Sequence, residues 1–324
     1  MVRAQGTTAP TVCNGYAEFC DKPYSSITFV ATHNSYANTS ETTGIPQQLK
    51  AGVRAFLLDG HYNPNSKTAP IELCHTSCAI LDAGKVSDTL KLFTTFLEQN
   101  PNEVITIFWE NFDKIDPADY KTAYDTAGLT SYAYIPSSPT EWPTLSSLIQ
   151  SNTRVINFID TGANNATVPW LLSEYTYVFE TPFENYDLNA WQCTVDRPKD
   201  RNPPPPMYLI NHFLYQTLPF GNVTVEIPKT DTANVTNGLN LELHVQNCTK
   251  IFGKAPNFLA VDAYDQGSDG KNVFVIAAEM NNVTYVPPPS PKETKKSGST
   301  VLSVNLGVNF LALIGVVTFT IFGL

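Results

Sequence analysis

Residues 104–111 read VITIFWEN. The run is apolar without alternation until it stops at Glu110 and Asn111. A strand wet on one face alternates polar and apolar; one that is apolar throughout is covered on both faces, as in a parallel sheet wrapped by helices. The same pattern recurs at 27–31, 53–59, 71–74, 154–160, 175–180, 207–212 and 258–262, giving eight strands with 104–110. Helical stretches lie between many of them. The clearest is 86–100, with Val86, Leu90, Phe93 and Leu97 on one face and a stop at Asn100-Pro101. Weaker helical patterns cover 46–51, 117–127, 145–151 and 237–252, and Pro203 to Pro206 stiffen the loop before the seventh strand.

Eight strands with interleaved helices over about 260 residues predict a single-domain α/β fold, a closed TIM-like (β/α) barrel, with an open doubly wound sheet as the runner-up. A hydrophobic content of 42% is ample for such a core. No glycine-rich phosphate loop follows any strand, so neither a nucleotide nor another organic cofactor is expected. Only 15% of the 324 residues are charged and the net charge is −10, which argues against a nucleic-acid partner and against electrostatic docking on an anionic bilayer.

The cysteines and the termini speak of export. Six cysteines without a Cys-x-x-Cys pair fit disulfides better than zinc, the alternative being six buried free thiols, and proximity in sequence suggests Cys13 with Cys20, Cys74 with Cys78 and Cys193 with Cys248. Glycosylation sequons begin at Asn38, Asn165, Asn222, Asn234, Asn247 and Asn282. The domain layout is an N-terminal segment over 1–23, the barrel over 24–286, a Pro/Ser/Lys-rich linker over 287–300 and an apolar tail over 301–324. Small residues at 297–299, a spacer and a terminal apolar run match a glycosylphosphatidylinositol (GPI) anchor signal, with Ser297 or Gly298 as the attachment residue. The expectation is a cell-surface protein of the secretory pathway held on the outer leaflet, the alternative being a single membrane span. Residues 1–10 lack the apolar h-region of a secretory leader.

In a barrel of this kind the active site lies at the C-terminal ends of the strands. Those ends carry His33-Asn34, Asp59 with His61 just beyond, His75, Glu110-Asn111, Asp160, Glu180, Asn211-His212 and Asp262. Any one polar residue there is ordinary, because a strand is surfacing. The whole set converging on one rim is not. Histidines supply a base and an acid near neutral pH, and Asn, Asp and Glu oxygens suit Ca²⁺ or Mg²⁺ rather than zinc. Together they are equipment for cleaving a phosphodiester.

Four segments, SITFVATHNSY (26–36), LKAGVRAFLLDGHY (49–62), IELCHTSC (71–78) and PNEVITIFWENF (101–112), occur in that order. They resemble the catalytic segments of the phosphatidylinositol-specific phospholipase C X-domain family, in its short, secreted fungal form. The resemblance implies a phosphodiesterase barrel acting on a phospholipid or other phosphodiester. In it His33 would be the general base, His75 the general acid, and Asn34, Asp59 and Glu110 ligands of a divalent metal. Asp262 would orient His33. One departure stands out: the calcium-dependent branch has a glutamate where this chain has Leu57. Lys and Arg are nearly absent from the strand ends, which disfavours head groups bearing extra phosphates. Two other readings compete. A glycosidase would use Asp59 and Glu110 but leaves both histidines idle. An anchored surface protein could bind a lipid or sugar head group with little or no turnover.

Overall fold

The structure, a computed structural model, describes residues 9–63, 70–138, 140–220 and 223–287. The expected anchor site at Ser297 or Gly298, the apolar tail and the Asn222 sequon lie outside the described residues. The strands are β1 (Phe29–Thr32), β2 (Ala55–Tyr62), β3 (Ile71–His75), β4 (Leu81–Lys85), β5 (Ile105–Glu110), β6 (Val155–Ile159), β7 (Leu171–Ser173), β8 (Val178–Glu180), β9 (Met207–Asn211), β10 (Tyr215–Phe220), β11 (Val223–Pro228), β12 (Phe258–Val261) and the two-residue β13 (Gly267–Ser268) and β14 (Lys271–Asn272). The helices are α1 (Ile45–Ala51), α2 (Val86–Gln99), α3 (Pro117–Ala127), α4 (Leu145–Gln150), the short α5 (Glu174–Tyr177) and α6 (Ala233–Val235), α7 (Leu241–Phe252) and α8 (Val273–Met280).

Eight parallel strands curl into one sheet in the order β7-β6-β5-β2-β1-β12-β9-β8. The α/β barrel architecture is therefore as expected, but the ring is not closed: β7 and β8 are its two edges. Parallel neighbours need a crossover of a dozen or more residues. Only the single turn α5 separates these two strands, so they cannot pair.

Two strand assignments change. The 71–74 segment is not a ring strand. It is β3, which runs antiparallel to an extension of β2 (Gly60 opposite Leu73, His61 opposite Glu72) and pairs on with β4. Too few residues join β2 to β3 for a helical crossover, so the chain turns back as a hairpin arm. The missing ring strand is β7, whose three residues are too short to register as a run. The 175–180 segment is half helix, since α5 takes its first residues and leaves β8 only three.

The strands alternate strictly between two cores. Phe29, Ala31, Ala55, Phe108, Ile156, Phe158, Leu172, Val178, Leu209, Phe258 and Ala260 fill the inside of the curl. Val30, Phe56, Leu58, Ile107, Trp109, Phe179, Tyr208, Ile210 and Leu259 pack outward under the helices. On α2 the stripe of Leu90, Phe93 and Leu97 is fully buried against that outer layer, each worth roughly 1.5–3 kcal/mol. Three disulfides are formed: Cys13–Cys20, Cys74–Cys78 and Cys193–Cys248. At the N-terminal end of the curl, Asn14 exchanges two hydrogen bonds with the Val104 backbone (2.9 and 2.7 Å), and Tyr24 reaches Thr106 on β5.

Gly60 marks where β2 leaves the ring for the hairpin arm. A Cβ there would collide with the hydroxyl of Tyr120, whose ring carbons lie within 3.1 and 3.3 Å. Tyr120 is fully buried and has nowhere to go. We expect Gly60→Ala to lower the unfolding free energy by about 1–3 kcal/mol, the cost of overpacking a tight core. Urea unfolding would read this as a lower midpoint at unchanged slope, and an unchanged midpoint would refute it.

Candidate active site

The alternation that sorts the cores also aims the polar strand ends. His33 is in phase with Phe29 and Ala31, Asp59 with Ala55 and Leu57, Glu110 with Phe108, and Asp262 with Phe258 and Ala260. Each side chain therefore points into the curl at its C-terminal mouth. His33, Asn34, Asp59, His75, Glu110, Asp160, Glu180 and Asn211 line one cavity of about 440 Å³. His75 arrives differently, from the end of β3, on the hairpin arm folded beside the mouth and tightened by Cys74–Cys78.

His33 is buried and held on three sides. Its Nδ1 lies 3.0 Å from Asp262 Oδ1, its Nε2 3.1 Å from the Tyr215 hydroxyl, and Phe213 stacks on its ring at 3.7 Å and 4°. The Asn34 amide sits between Asp59 and the two imidazoles. With the amide oriented to satisfy both sets of neighbours, its nitrogen donates to the Asp59 carboxylate at 3.1 and 3.2 Å, and its oxygen lies 3.1 Å from Nε2 of both His33 and His75. Asn34 has a positive φ of 46°, a left-handed conformation that asparagine tolerates better than most residues. Burial pushes the Asp262 carboxyl up, against the pull of His33. His75 is lowered to about 4, by burial first and then by the nearby His33 and His61.

The rest of the mouth is acidic. Asp59 and Glu110 stand opposite one another in the β2–β5 register. Burial, with Glu110 adding to it, raises Asp59 well above the usual carboxylate range; the Tyr36 hydroxyl (2.8 Å) and Arg197 oppose the shift. Asp160 is pushed up to about 6, mainly by burial. Glu174 on α5 is driven well up by burial and then by Glu180. Glu180 remains ionised, its own burial being outweighed by Arg197, Glu174 and Asn211.

Reading the strand ends alone misses Arg197. It lies in the loop after β8, where its backbone bonds back to Glu180, and its guanidinium reaches Glu180 (2.7 Å) and Glu110 (3.2 Å) across the face of Phe183. Nothing in the local sequence marks this loop arginine beyond its place four residues after Cys193. Tyr36, Phe213 and Tyr215 are missed for the same reason, since they follow their strands instead of ending them. Leu57, in the place of the absent glutamate, lines the cavity beside Asp59. All five described sequon asparagines, Asn38, Asn165, Asn234, Asn247 and Asn282, are exposed.

The sequence matches the PI-PLC X family model over residues 19–276. Among curated proteins, an uncharacterized secreted protein of Arthroderma benhamiae is 35% identical over 290 residues, covering 84% of this chain and 64% of its own length. The chain thus spans less than two thirds of that relative. PI-PLC X domain-containing protein 1 of the same organism is 35% identical over 277 residues, covering 82% of this chain and 90% of its own. A PI-PLC X domain-containing protein of Arabidopsis thaliana is 28% identical over 306 residues, covering 86% and 66%. Among solved structures, a phosphatidylinositol-specific phospholipase C of Staphylococcus aureus superposes with a TM-score of 0.54 over 82% of this chain and 94% of its own, at 15% identity. That likeness speaks for the fold.

The other histidines do not line this cavity. His61, beyond Asp59, pairs with Asp113 at 3.3 Å and stacks on Phe112. His212 follows the inward Asn211 and so faces outward, where its Nδ1 meets His244 Nδ1 at 2.9 Å beneath the Trp191 ring. Burial lowers His244 to about 4 and, with His244 beside it, lowers His212 well below its usual range. As pH falls from about 6.5 towards 4, the unfolded chain takes up a proton that folded His244 refuses. Its contribution to stability is therefore intact near pH 7 and lost across that window. The gap in thermal midpoint between the parent protein and His244→Gln should narrow steadily as pH is lowered from 7 to 4. A constant gap would contradict it.

Proposed function

The chain belongs to the PI-PLC X domain family, and from that premise we propose that it is a phosphoric diester hydrolase that cleaves the phosphodiester-linked head group of a lipid, with His33 as general base and His75 as general acid. The observation that carries this reading is the shared Asn34 amide: both imidazoles turn Nε2 toward one point, 3.1 Å from each, inside the cavity. A phosphodiester seated beside that amide, in the cavity that all three residues line, would have a proton acceptor in His33 and a donor in His75.

Each step falls to a named group. Asp262 accepts the Nδ1 proton of His33, so Nε2 is the nitrogen turned to the substrate. Nε2 takes the proton of a hydroxyl adjacent to the phosphate, and that oxygen attacks phosphorus. His75 hands its proton to the leaving lipid oxygen. The product is a cyclic phosphodiester, which water opens with the two roles reversed. His75 must be charged to act as acid, although it is lowered to about 4 in the free molecule. A bound phosphodiester anion beside it favours the charged form and supplies the missing shift.

The donor set fits a divalent cation. Seven carboxyl groups and one guanidinium line the cavity, a setting that repels an anionic phosphodiester unless positive charge is added. Asp59 and Glu110 offer the hard oxygens that Ca²⁺ or Mg²⁺ takes, Asn34 would join them with its amide turned to bring the oxygen to the Asp59 side, and Leu57 leaves the set one carboxylate short. Such an ion would neutralise the phosphoryl oxygens and ease deprotonation of the attacking hydroxyl.

The acidic mouth also selects the head group. Arg197 already satisfies two carboxylates, and further ring phosphates would meet Glu180 and Asp160. An unphosphorylated polyol, whose hydroxyls donate to carboxylates, suits it best. The secreted relative, the three disulfides and the exposed sequons support action along the secretory route, and a GPI anchor to the outer leaflet is proposed on the sequence pattern of 297–324 alone.

The test is release of water-soluble phosphate from phosphatidylinositol vesicles. His33→Ala and His75→Ala should each cost about 10²–10⁴-fold in turnover. EDTA should suppress activity, and added Ca²⁺ or Mg²⁺ should restore it. Absence of turnover on any phosphodiester lipid under either ion would favour the head-group binder that Leu57 suggests. Activity surviving both histidine changes would overturn the assignment outright.

A further inference from the structure

Helix α7 shows two unlike faces. Leu241, His244, Val245 and Cys248 are buried at i, i+3, i+4 and i+7, the pattern of a helix packed on a core. The opposite side should be polar. Instead Leu243 is 56% exposed and Ile251 57% exposed, and Leu239, one turn ahead of the helix, is 51% exposed. Residues four apart on a helix stack along one side, about 6 Å from each other along the axis. Leu243, position 247 and Ile251 therefore form one line, and position 247 is asparagine.

That asparagine opens the sequon Asn247-Cys248-Thr249. Its side chain is exposed, and one amide hydrogen is directed at Cys193 Sγ, 3.5 Å away, which leaves the second free. A second sequon, Asn234-Val235-Thr236, stands just before the helix, and its Val235 is 46% exposed. The apolar line is thus punctuated by the one chemical handle that could cover it.

We propose that Asn247 carries an N-linked oligosaccharide whose first sugars lie along α7 and shield Leu243 and Ile251 from water. The modification replaces the free Nδ2–H with an Nδ2–C1 bond. The oligosaccharide leaves a diphospho-lipid carrier, the donor class of the secretory pathway, and the carrier diphosphate takes the proton. The remaining N–H keeps its contact with Cys193 Sγ. Pyranose rings present axial C–H groups on one face and hydroxyls at the edge, so a sugar laid on leucine and isoleucine buries apolar surface while its rim stays wet. A glycan rooted midway along the line also keeps a second copy of the chain, or a bilayer, from reaching that face.

The proposal stands independently of the catalytic reading and is tested without it. The full chain is expressed in a eukaryotic secretory host, and the glycopeptide spanning position 247 is identified by mass spectrometry. Asn247 should be occupied in most of the secreted protein. Asn247→Gln should bind an apolar dye more strongly and self-associate at least tenfold more tightly in sedimentation velocity, and adding Leu243→Ser and Ile251→Ser to it should reverse both. Removing the glycan enzymatically from folded protein whose other five sequon asparagines are changed to glutamine gives the same comparison if the Asn247→Gln variant fails to fold. An unmodified Asn247 in secreted protein, or a deglycosylated form that binds dye and sediments like the parent, would overturn it.

Discussion

The constraint on which the site depends is the two-residue period of a strand held in a parallel ring. Once Phe108 and Phe258 point into the curl, Glu110 and Asp262 must point there too. The ladders fix the height as well as the direction: Ala31 lies opposite Ala55, Asp59 opposite Glu110, and Thr32 opposite Val261, one residue short of the His33–Asp262 contact. A slip of one residue in any of these strands would turn its functional side chain outward under a helix. His212 shows this outcome, for it stands one residue past the inward Asn211 and ends up in the outer layer with His244.

Polar groups gathered so tightly must answer for one another's charge. Burial and crowding raise Asp59, Asp160 and Glu174, and a single guanidinium binds Glu180 and Glu110 into one cluster. Arg197 can do this because its loop is tethered at two points. The Cys193–Cys248 disulfide ties the loop to α7, and the Glu180–Arg197 backbone bridge ties it to β8. The cavity nevertheless stays strongly acidic, which makes it a poor host for an anion on its own and a good one for a cation or for hydroxyl donors.

Much of this was legible in the sequence because strand burial and strand ends leave strong marks. Continuous apolar runs identified most of the ring, and the residues that end them, His33, Asp59, Glu110 and Asp262, are the ones that meet. What the runs could not convey is partnership. The segment 71–74 is as apolar as a ring strand because β3 is also covered, yet it pairs antiparallel to β2. Leu171 and Leu172 do the work of a ring strand in three residues, too few to stand out from a loop. Arg197 and Phe213 reach the site from loops and Tyr215 from the start of β10, and their course depends on tertiary contacts that no local pattern encodes.

The hairpin arm resolves a geometric difficulty of the site. On the proposed reading two imidazoles face one phosphorus from opposite sides, while side chains from neighbouring ring strands point the same way, side by side. A second histidine at a ring-strand end next to β1 would stand beside His33 and could not oppose it. Extending β2 past the rim to Tyr62, with Gly60 admitting Tyr120 at the point of departure, lets β3 return over the mouth with His75 at its end. That position is off the ring and costs rigidity, and the short Cys74–Cys78 loop restores it at the residue beside the imidazole. Tyr36 adds a further tie, since its hydroxyl bonds both Asp59 on β2 and the Cys74 carbonyl on β3. The arm, its disulfide and this bridging tyrosine thus act as one device, which gives a ring of parallel strands a group facing back toward it.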